Sequence, residues 1–357
     1  IYKSNIARIF HLVKKQKEKS EKDVFSIKKA RLEDFRFKLV SFKPAKNEYS
    51  GYGLDWTALD LTADVLARNI KFSNSIMTGT AERISLSEKS GYIANNISGK
   101  ARVGRGKTQL TGLHIQDPWS DAVISEFAME YAENSKPFKN LKDKVLLHGE
   151  IGKGTLAFRT LSYFVPAFKD NGIVADISSA SINGYLNDLD ISGLKFTDRT
   201  SGIECSASAA MTGLPDMDKL NLDATVNSFK FTTKGLGTFL SQWTKGKKMD
   251  FGSLARNEDF TFSGKANGSL SDLKVDGKLN SGIGSAATSR GIKGLAGGGA
   301  LGLSGNVSTQ NLDIGRIIGK DFIHEVTMGT ELKADLGKGS PSLAIDSVRV
   351  SRLNLKG

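Results

Sequence analysis

The sequence predicts a mainly β protein, an elongated antiparallel sheet assembled from copies of one unit, with short helices punctuating the copies. Three observations predict it. The segment Asn183 to Gly193 (NGYLNDLDISG) returns 84 residues later as Asn267 to Gly277 (NGSLSDLKVDG), and a unit laid beside its own copy gives a long body rather than a round one. Glycine makes up 38 of 357 residues, about 11% against a usual ~7%, which suits many short strands joined by tight turns. Apolar residues recur at every second position over long stretches, the period of a strand that is apolar on one side.

The first 22 residues read differently from the rest. Ile6, Ile9, Phe10 and Val13 stand at helical spacing and run into a Lys/Glu-rich stretch ending at Lys22, so 1–22 reads as an amphipathic helix and a charged connector. Such a helix can cap the end of a sheet or lie on a membrane surface.

From residue 23 to 357 one continuous repeating β region is expected, since six prolines in the whole chain leave no Pro-rich linker. It opens with Phe25, Ile27, Leu32, Phe35, Phe37 and Leu39 alternating with charged residues. Later runs include Ile84-Leu86, Leu220 to Val226, Phe229-Phe231, Phe260-Phe262, Leu332 to Leu336, Leu343-Ile345, Val348-Val350 and Leu353-Leu355. The step from Val226 to Phe229 changes parity and marks a bulge or turn. In the repeated motif the change falls at Asp188 and Asp272, so each copy reads as two strands joined tightly there, with the aspartate supporting its own turn.

Helices are expected where Thr160 caps Leu161 to Phe168, Thr233 caps Lys234 to Trp243, and Asp313 caps Ile314 to Ile318. The units are then roughly 155–232, 233–312 and a partial 313–357. A unit of about seven strands at ~4.8 Å each would carry the whole past ~100 Å. The small-residue stretch from Ser281 to Gly305 fits either a sharply curved patch of sheet or a mobile loop.

Fifty Lys and Arg against 38 Asp and Glu give a net charge of +12. The excess fits a well-solvated surface, and its basic start also fits an anionic membrane surface. No nucleic acid partner is expected, because there is no zinc-finger spacing and no RNP-like aromatic signature. The single Cys205 excludes an internal disulfide framework.

No enzyme is expected. Gly106-Lys107-Thr108 resembles the end of a phosphate loop but lacks the preceding glycine, since Ala101 stands there. Gly282-Ile283-Gly284 with Ala287 lacks the βαβ setting of a dinucleotide site. His11, His114, His148 and His324 have no metal-ligand spacing, so neither metal nor cofactor is expected. An apolar sheet face must then be covered by a second sheet, closed into a barrel, coiled into a solenoid, or kept as a lined groove.

Gly213-Leu214-Pro215-Asp216, the alternation Leu220 to Val226, and Phe229 to Thr233 opening a short helix resemble the body of TamB-like proteins. So do Gly264 to Gly268 with the Leu270-Asp272-Leu273 turn, and the helix start Asn311 to Gly315. TamB-like proteins belong to the AsmA-like repeating β-groove group, and the chain is most similar to the Bacteroidetes type, from Phe25 onward and most clearly after Leu161. The resemblance implies a taco-shaped hydrophobic groove in the periplasm that carries phospholipid acyl chains between the inner and outer membranes. It also implies an N-terminal inner-membrane anchor and a contact with an Omp85-type outer-membrane barrel, both in regions beyond this sequence. Leu222, Val226, Phe229, Phe231, Phe262, Leu270, Val275, Ile345 and Val350 would then line the groove. A scaffold that assists outer-membrane protein assembly at the sheet edge, and a structural β-solenoid surface protein, are the alternatives.

Overall fold

Alternating residues become a sheet when their backbone groups find a neighbour, and in this protein the neighbour is, with one exception, the next strand in sequence. The structure, a computed structural model, describes residues 25–39, 51–55, 58–133, 141–243, 248–251, 254–256, 258–293, 302–335 and 342–355. The helix expected between Ile6 and Lys22 lies outside them, as does the GGG run of residues 297–299. Eighteen strands form one sheet. They are β1 (Phe25–Lys38), β2 (Asp60–Ser73), β3 (Ile76–Glu88), β4 (Ile93–Val103), β5 (Lys107–Gln116), β6 (Asp121–Glu130), β7 (Leu146–Ala157), β8 (Val174–Tyr185) and β9 (Asp188–Asp198). There follow β10 (Glu204–Thr212), β11 (Asn221–Thr232), β12 (Asp259–Ser269), β13 (Asp272–Ser281), β14 (Gly284–Lys293), β15 (Gly302–Gln310), β16 (Leu312–Asp313), β17 (Ile323–Asp335) and β18 (Ser342–Leu355).

Each strand pairs antiparallel with its successor, except that β15, over Gly302 to Ser308, and the two-residue β16 share β17. Among the described residues β1 and β18 each pair on one side only. The sheet is therefore an elongated, curved open meander, neither a closed barrel nor the coils of a solenoid. The Ser281 to Gly305 stretch is strand in β14 and in the start of β15.

Among the described residues three short α-helices interrupt the meander, α1 (Phe158–Leu161), α2 (Thr233–Ser241) and α3 (Ile314–Ile318). They follow β7, β11 and β16, so a unit holds about four strands, not seven, and the ladder spans roughly 80 Å at ~4.8 Å per strand. The overestimate arose from counting apolar runs on either side of a bulge as separate strands; Leu222 to Val226 and Phe229 to Phe231 are both β11, with the register shift between Val226 and Phe229.

Capping agrees with the sequence at α3, where Asp313 accepts from the Arg316 N–H at 2.9 Å. At α2 the cap is Thr232, one residue earlier than expected, accepting from the Gly235 N–H at 3.0 Å. At α1 the expectation fails. Thr160 lies inside the helix, and its hydroxyl donates to Asp117 Oδ2 at 2.7 Å and bonds Ser120 Oγ at 2.6 Å. The helix ends early because Pro166 opens a separate 3-10 turn and holds Val165 extended.

The repeated NGxLxDL motif forms two hairpins, each with a two-residue turn: Tyr185 faces Asp188, and Ser269 faces Asp272. Gly184 and Gly268 sit just before the turns at φ +122° and +123°. A Cβ on either would stand 2.4 Å from the carbonyl oxygen of Asp188 or Asp272, so the motif's glycine answers to a backbone approach that no side chain permits.

Residues directly opposite in an antiparallel ladder point to the same side, so the register assigns every strand's faces. On one side the row Met211, Leu222, Gly268, Leu273, Ile292 and Leu303 crosses β10 to β15. On the other side lie Thr212, Asn221, Ser269 and Asp272. That polar side carries cross-strand ion pairs, among them Lys107–Glu130 at 2.8 Å, Arg199–Asp176 at 2.7 Å and Lys230–Glu204 at 2.9 Å. Hydrogen bonds from Lys107 and Arg199 hold Glu130 and Asp176 below the usual carboxylate range. Their small contribution is present above pH ~4 and lost as the pH falls through the lowered folded values.

Candidate functional site: the apolar face

The same bookkeeping of opposite pairs follows one apolar face from β1 to β18. Phe25, Phe72, Met77 and Val103 stand in one row across β1 to β4. Leu110, Phe127 and Gly149 continue the face over β5 to β7. Ile182 and Ile191 carry it through β8 and β9, where Gly149 lies opposite Ile182. Val307, Thr330 and Val348 close it at β15, β17 and β18. Bulges that break the alternation within a strand restore it across strands. The shift in β11 keeps Val226 and Phe229 both on this face, opposite Gly264 and Phe262.

Connections between strands cover one long edge of this face at several places and the other edge over β6 to β11. α1, α2 and α3 all leave from one edge, because four strands return the chain to the side it started from. From that edge Tyr163 packs on Tyr92, Ala94, Leu86 and Ile97. Ala255 and Ile317 likewise pack on Phe260, Leu279 and Ile283. Seven rings form a strip along this rim, from Phe158 and Phe168 through Trp243 and Phe239 to Phe229, Phe231 and Phe260, with successive centroids 4.9–6.3 Å apart. At the opposite edge Leu141, Val145, Leu186 and Leu214 fold over Met129, Leu147, Leu189 and Met211. The fully buried residues therefore lie mainly along the rims, while mid-strand residues such as Val226 and Val275 stay half-buried. A covered floor would be buried throughout; this floor is an open trough with an apolar lip on one edge and, over β6 to β11, on the other.

Eight of the nine sequence-predicted residues share this face. Val226 and Val275 stand on the floor of the trough, and Leu222 lies toward its far rim, opposite Met211. Phe229 and Phe231 belong to the rim strip, with Phe229 against Phe239 of α2 at 6.1 Å. Phe262 lies flat, its ring 2.5 Å from where Cβ atoms on Gly277 would be and 2.9 Å from one on Gly264. Ile345 and Val350, on the last strand, are 52% and 49% exposed. Leu270 is the exception, because it occupies the β12–β13 turn, off the ladder; parity counted along the sequence carried it straight through the hairpin.

Residues the sequence did not single out complete the face, notably Leu110, Leu113, Ile124, Ile151, Ile177 and Leu194. Their strands carry register shifts at Ile124, Ile177 and Ala207, so single-strand alternation gives no signal there. Cys205 also faces the trough, opposite Phe229 and Phe196. Burial pushes its thiol up to about 11. At pH 8 we expect Cys205 to react with a disulfide reagent at least ~100-fold slower than free cysteine; free-cysteine rates in the folded chain would remove Cys205 from the trough.

Among the described residues no group of three or more His, Cys, Asp or Glu side chains could hold a metal ion, and no helix is long and apolar enough to cross a membrane. The fold and the face together define a class: an open antiparallel meander with one continuous apolar trough along its length. No protein family, curated protein or solved structure matches the chain.

Proposed function

We propose that this protein is a bridge for lipid transfer, holding phospholipid acyl chains along its trough while the headgroups stay in water. One observation carries the reading: a single apolar face runs the length of the ladder, with one rim covered by connections at several places, the other over β6 to β11, and its floor uncovered among the described residues. A sixteen-carbon chain crossing water exposes ~15 methylenes at ~0.8 kcal/mol each, roughly 12 kcal/mol. A trough of repeated, similar apolar contacts removes that barrier without a deep well in which the lipid would stop, and it acts without catalysis. The resemblance to TamB-like proteins supports a place in the periplasm, with inner-membrane anchoring and an Omp85-type barrel at the far end as its partners.

The test is native mass spectrometry of the purified chain with lipid extraction, beside a variant carrying Val226→Asp. Val226 lies on the floor, opposite Gly264 and Ala207, and does not belong to the aromatic rim, so the charge falls in the trough without disturbing α2. We expect phospholipid on the parent chain and at least a ~10-fold loss in the variant, since a carboxylate in apolar surroundings lacks its water. A lipid-free parent chain sinks the reading. A scaffold that pairs clients with the free edge of β1 or β18 would keep its activity in the same variant.

A further inference from the structure

The net charge of the chain is not spread along its length. Residues 1–116 hold 22 Lys and Arg against 11 Asp and Glu, whereas residues 117–357 hold 28 against 27. Because the strands follow one another in sequence order, the part of this excess that falls among the described residues of β1 to β5 and their connections, 13 Lys and Arg against 7 Asp and Glu, lies at one end of an elongated body. Basic residues scattered along the sequence are thereby gathered in space.

Within that end the outer, polar face of β2 to β5 has a hollow of about 410 Å³, lined by Lys71, Lys100 and Arg102 together with Thr78, Thr80 and Gln109. Its shape follows from the backbone. Register shifts between Arg68 and Lys71 and between Ser98 and Lys100 bend these strands. Lys71, Thr78, Arg102 and Gln109 fall in one cross-strand row. The three cations are exposed, and none is within ion-pair distance of an acid among the described residues, whereas Arg68 beside them is paired with Glu82 at 2.5 Å. Uncompensated cations around a concave, hydroxyl-lined surface suit a phosphate-bearing anion.

The other side of the same edge selects between sources of phosphate. Directly behind Lys71 and Arg102, Phe25, Phe72 and Met77 form the last row of the apolar face, and Phe25 and Met77 are 52% and 42% exposed. A soluble phosphate or a nucleic acid backbone has no use for them. A bilayer does, since apolar side chains at its surface enter the acyl boundary while cations meet the headgroups.

We propose that this edge of β2 to β5 docks on an anionic phospholipid bilayer, Lys71, Lys100 and Arg102 engaging headgroup phosphates and Phe25 and Met77 entering the interface. The proposal goes beyond lipid carriage and does not depend on it. A docked end would orient the trough with its first strands at the membrane.

The experiment is flotation of the full chain with vesicles of phosphatidylcholine alone and of equimolar phosphatidylcholine and phosphatidylglycerol. Binding is expected to the anionic vesicles only, and to fall with salt. Replacing Lys71, Lys100 and Arg102 together by Glu should weaken it by roughly 100-fold, from about fivefold per basic residue near the surface. Replacing Lys265, Lys274 and Lys278 by Glu changes the net charge equally on exposed positions of β12 and β13 and should leave binding within about twofold, because those strands lie several Debye lengths away. Equal losses from the two triple variants, binding to phosphatidylcholine alone as strong as to the mixture, or no vesicle binding by the parent chain would each overturn the proposal. Circular dichroism on both variants checks that they fold, and the conservative variant Lys71→Arg with Lys100→Arg should bind as the parent does. Loss of co-purifying lipid with vesicle docking retained would count against the trough reading alone.

Discussion

Gly268→Ala and Gly184→Ala are each expected to destabilise their hairpin by about 3 kcal/mol, and by similar amounts, although 84 residues separate them. Two costs combine at each site. The backbone holds φ +123° or +122°, a region an L side chain adopts only under strain, and the added Cβ would stand 2.4 Å from a main-chain carbonyl oxygen. The oxygen belongs to the residue after the turn, so relief requires the two strands to part. Gly193→Ala is the control: φ is +59° with nothing within 4 Å of the new atom, and only about 1 kcal/mol should be lost. Because a long meander unfolds by segments rather than all at once, the measurement is amide exchange across β8–β9 and β12–β13. Equal protection in Gly268→Ala and Gly193→Ala would show that the close approach is not what holds the turn.

Asp198→Ala is the second change with a large expected effect, on the order of 3 kcal/mol. Asp198 is 0% exposed, and its carboxylate accepts from Ser201 Oγ at 2.5 Å and from the N–H groups of Ser201 at 3.1 Å, Thr200 at 3.2 Å and Val174 at 3.3 Å. Alanine leaves three N–H groups without that acceptor beside Ile203, itself 0% exposed. The β9–β10 connection should open first, seen as faster exchange at Thr200 and Ser201. Asp198→Asn keeps the shape and one acceptor oxygen and should cost less than half as much. An Asn variant as unstable as the Ala variant would mean that the negative charge, rather than the acceptor count, holds the turn.

Asp198 was invisible in the sequence, because an aspartate followed by Arg-Thr-Ser-Gly reads as any polar turn. Only the structure shows that Asp117 and Glu88 hold comparable turns along the same rim, each accepting from the backbone of its own connection, as Asp117 does from Trp119 and Ser120 at 2.7 Å and Glu88 from Ser90 at 2.7 Å. The repeat itself was legible, but not all of its letters mean the same thing. Gly184 and Gly268 serve one purpose. Gly193 and Gly277, aligned in the motif, serve two: the first supplies a left-handed bend, the second makes room for the ring of Phe262.

The candidate site was half legible for a related reason. In β12 and β13 the alternation is clean and the paired strands are in register, and β11 is broken only once, between Val226 and Phe229, so Leu222, Val226, Phe262 and Val275 could be placed on one face by counting twos. Between β3 and β10 each bulge resets the count, and no single strand says which side its apolar residues take. Leu270 shows the same limit, since a turn ends the alternation without altering the letters.

By itself the sequence determined the β class, the repeat with its tight hairpins, the cap at Asp313, and the alternation that makes each strand apolar on one side. These are local properties, set by backbone stereochemistry and by the spacing of side chains over a few residues. The tertiary structure alone decided that the faces of eighteen strands join into one, that three helices close the same rim, and that the basic residues of the first strands meet around one hollow. Each of these depends on which residue lies opposite which across a ladder, and that pairing relates positions whose distance along the chain carries no trace of it.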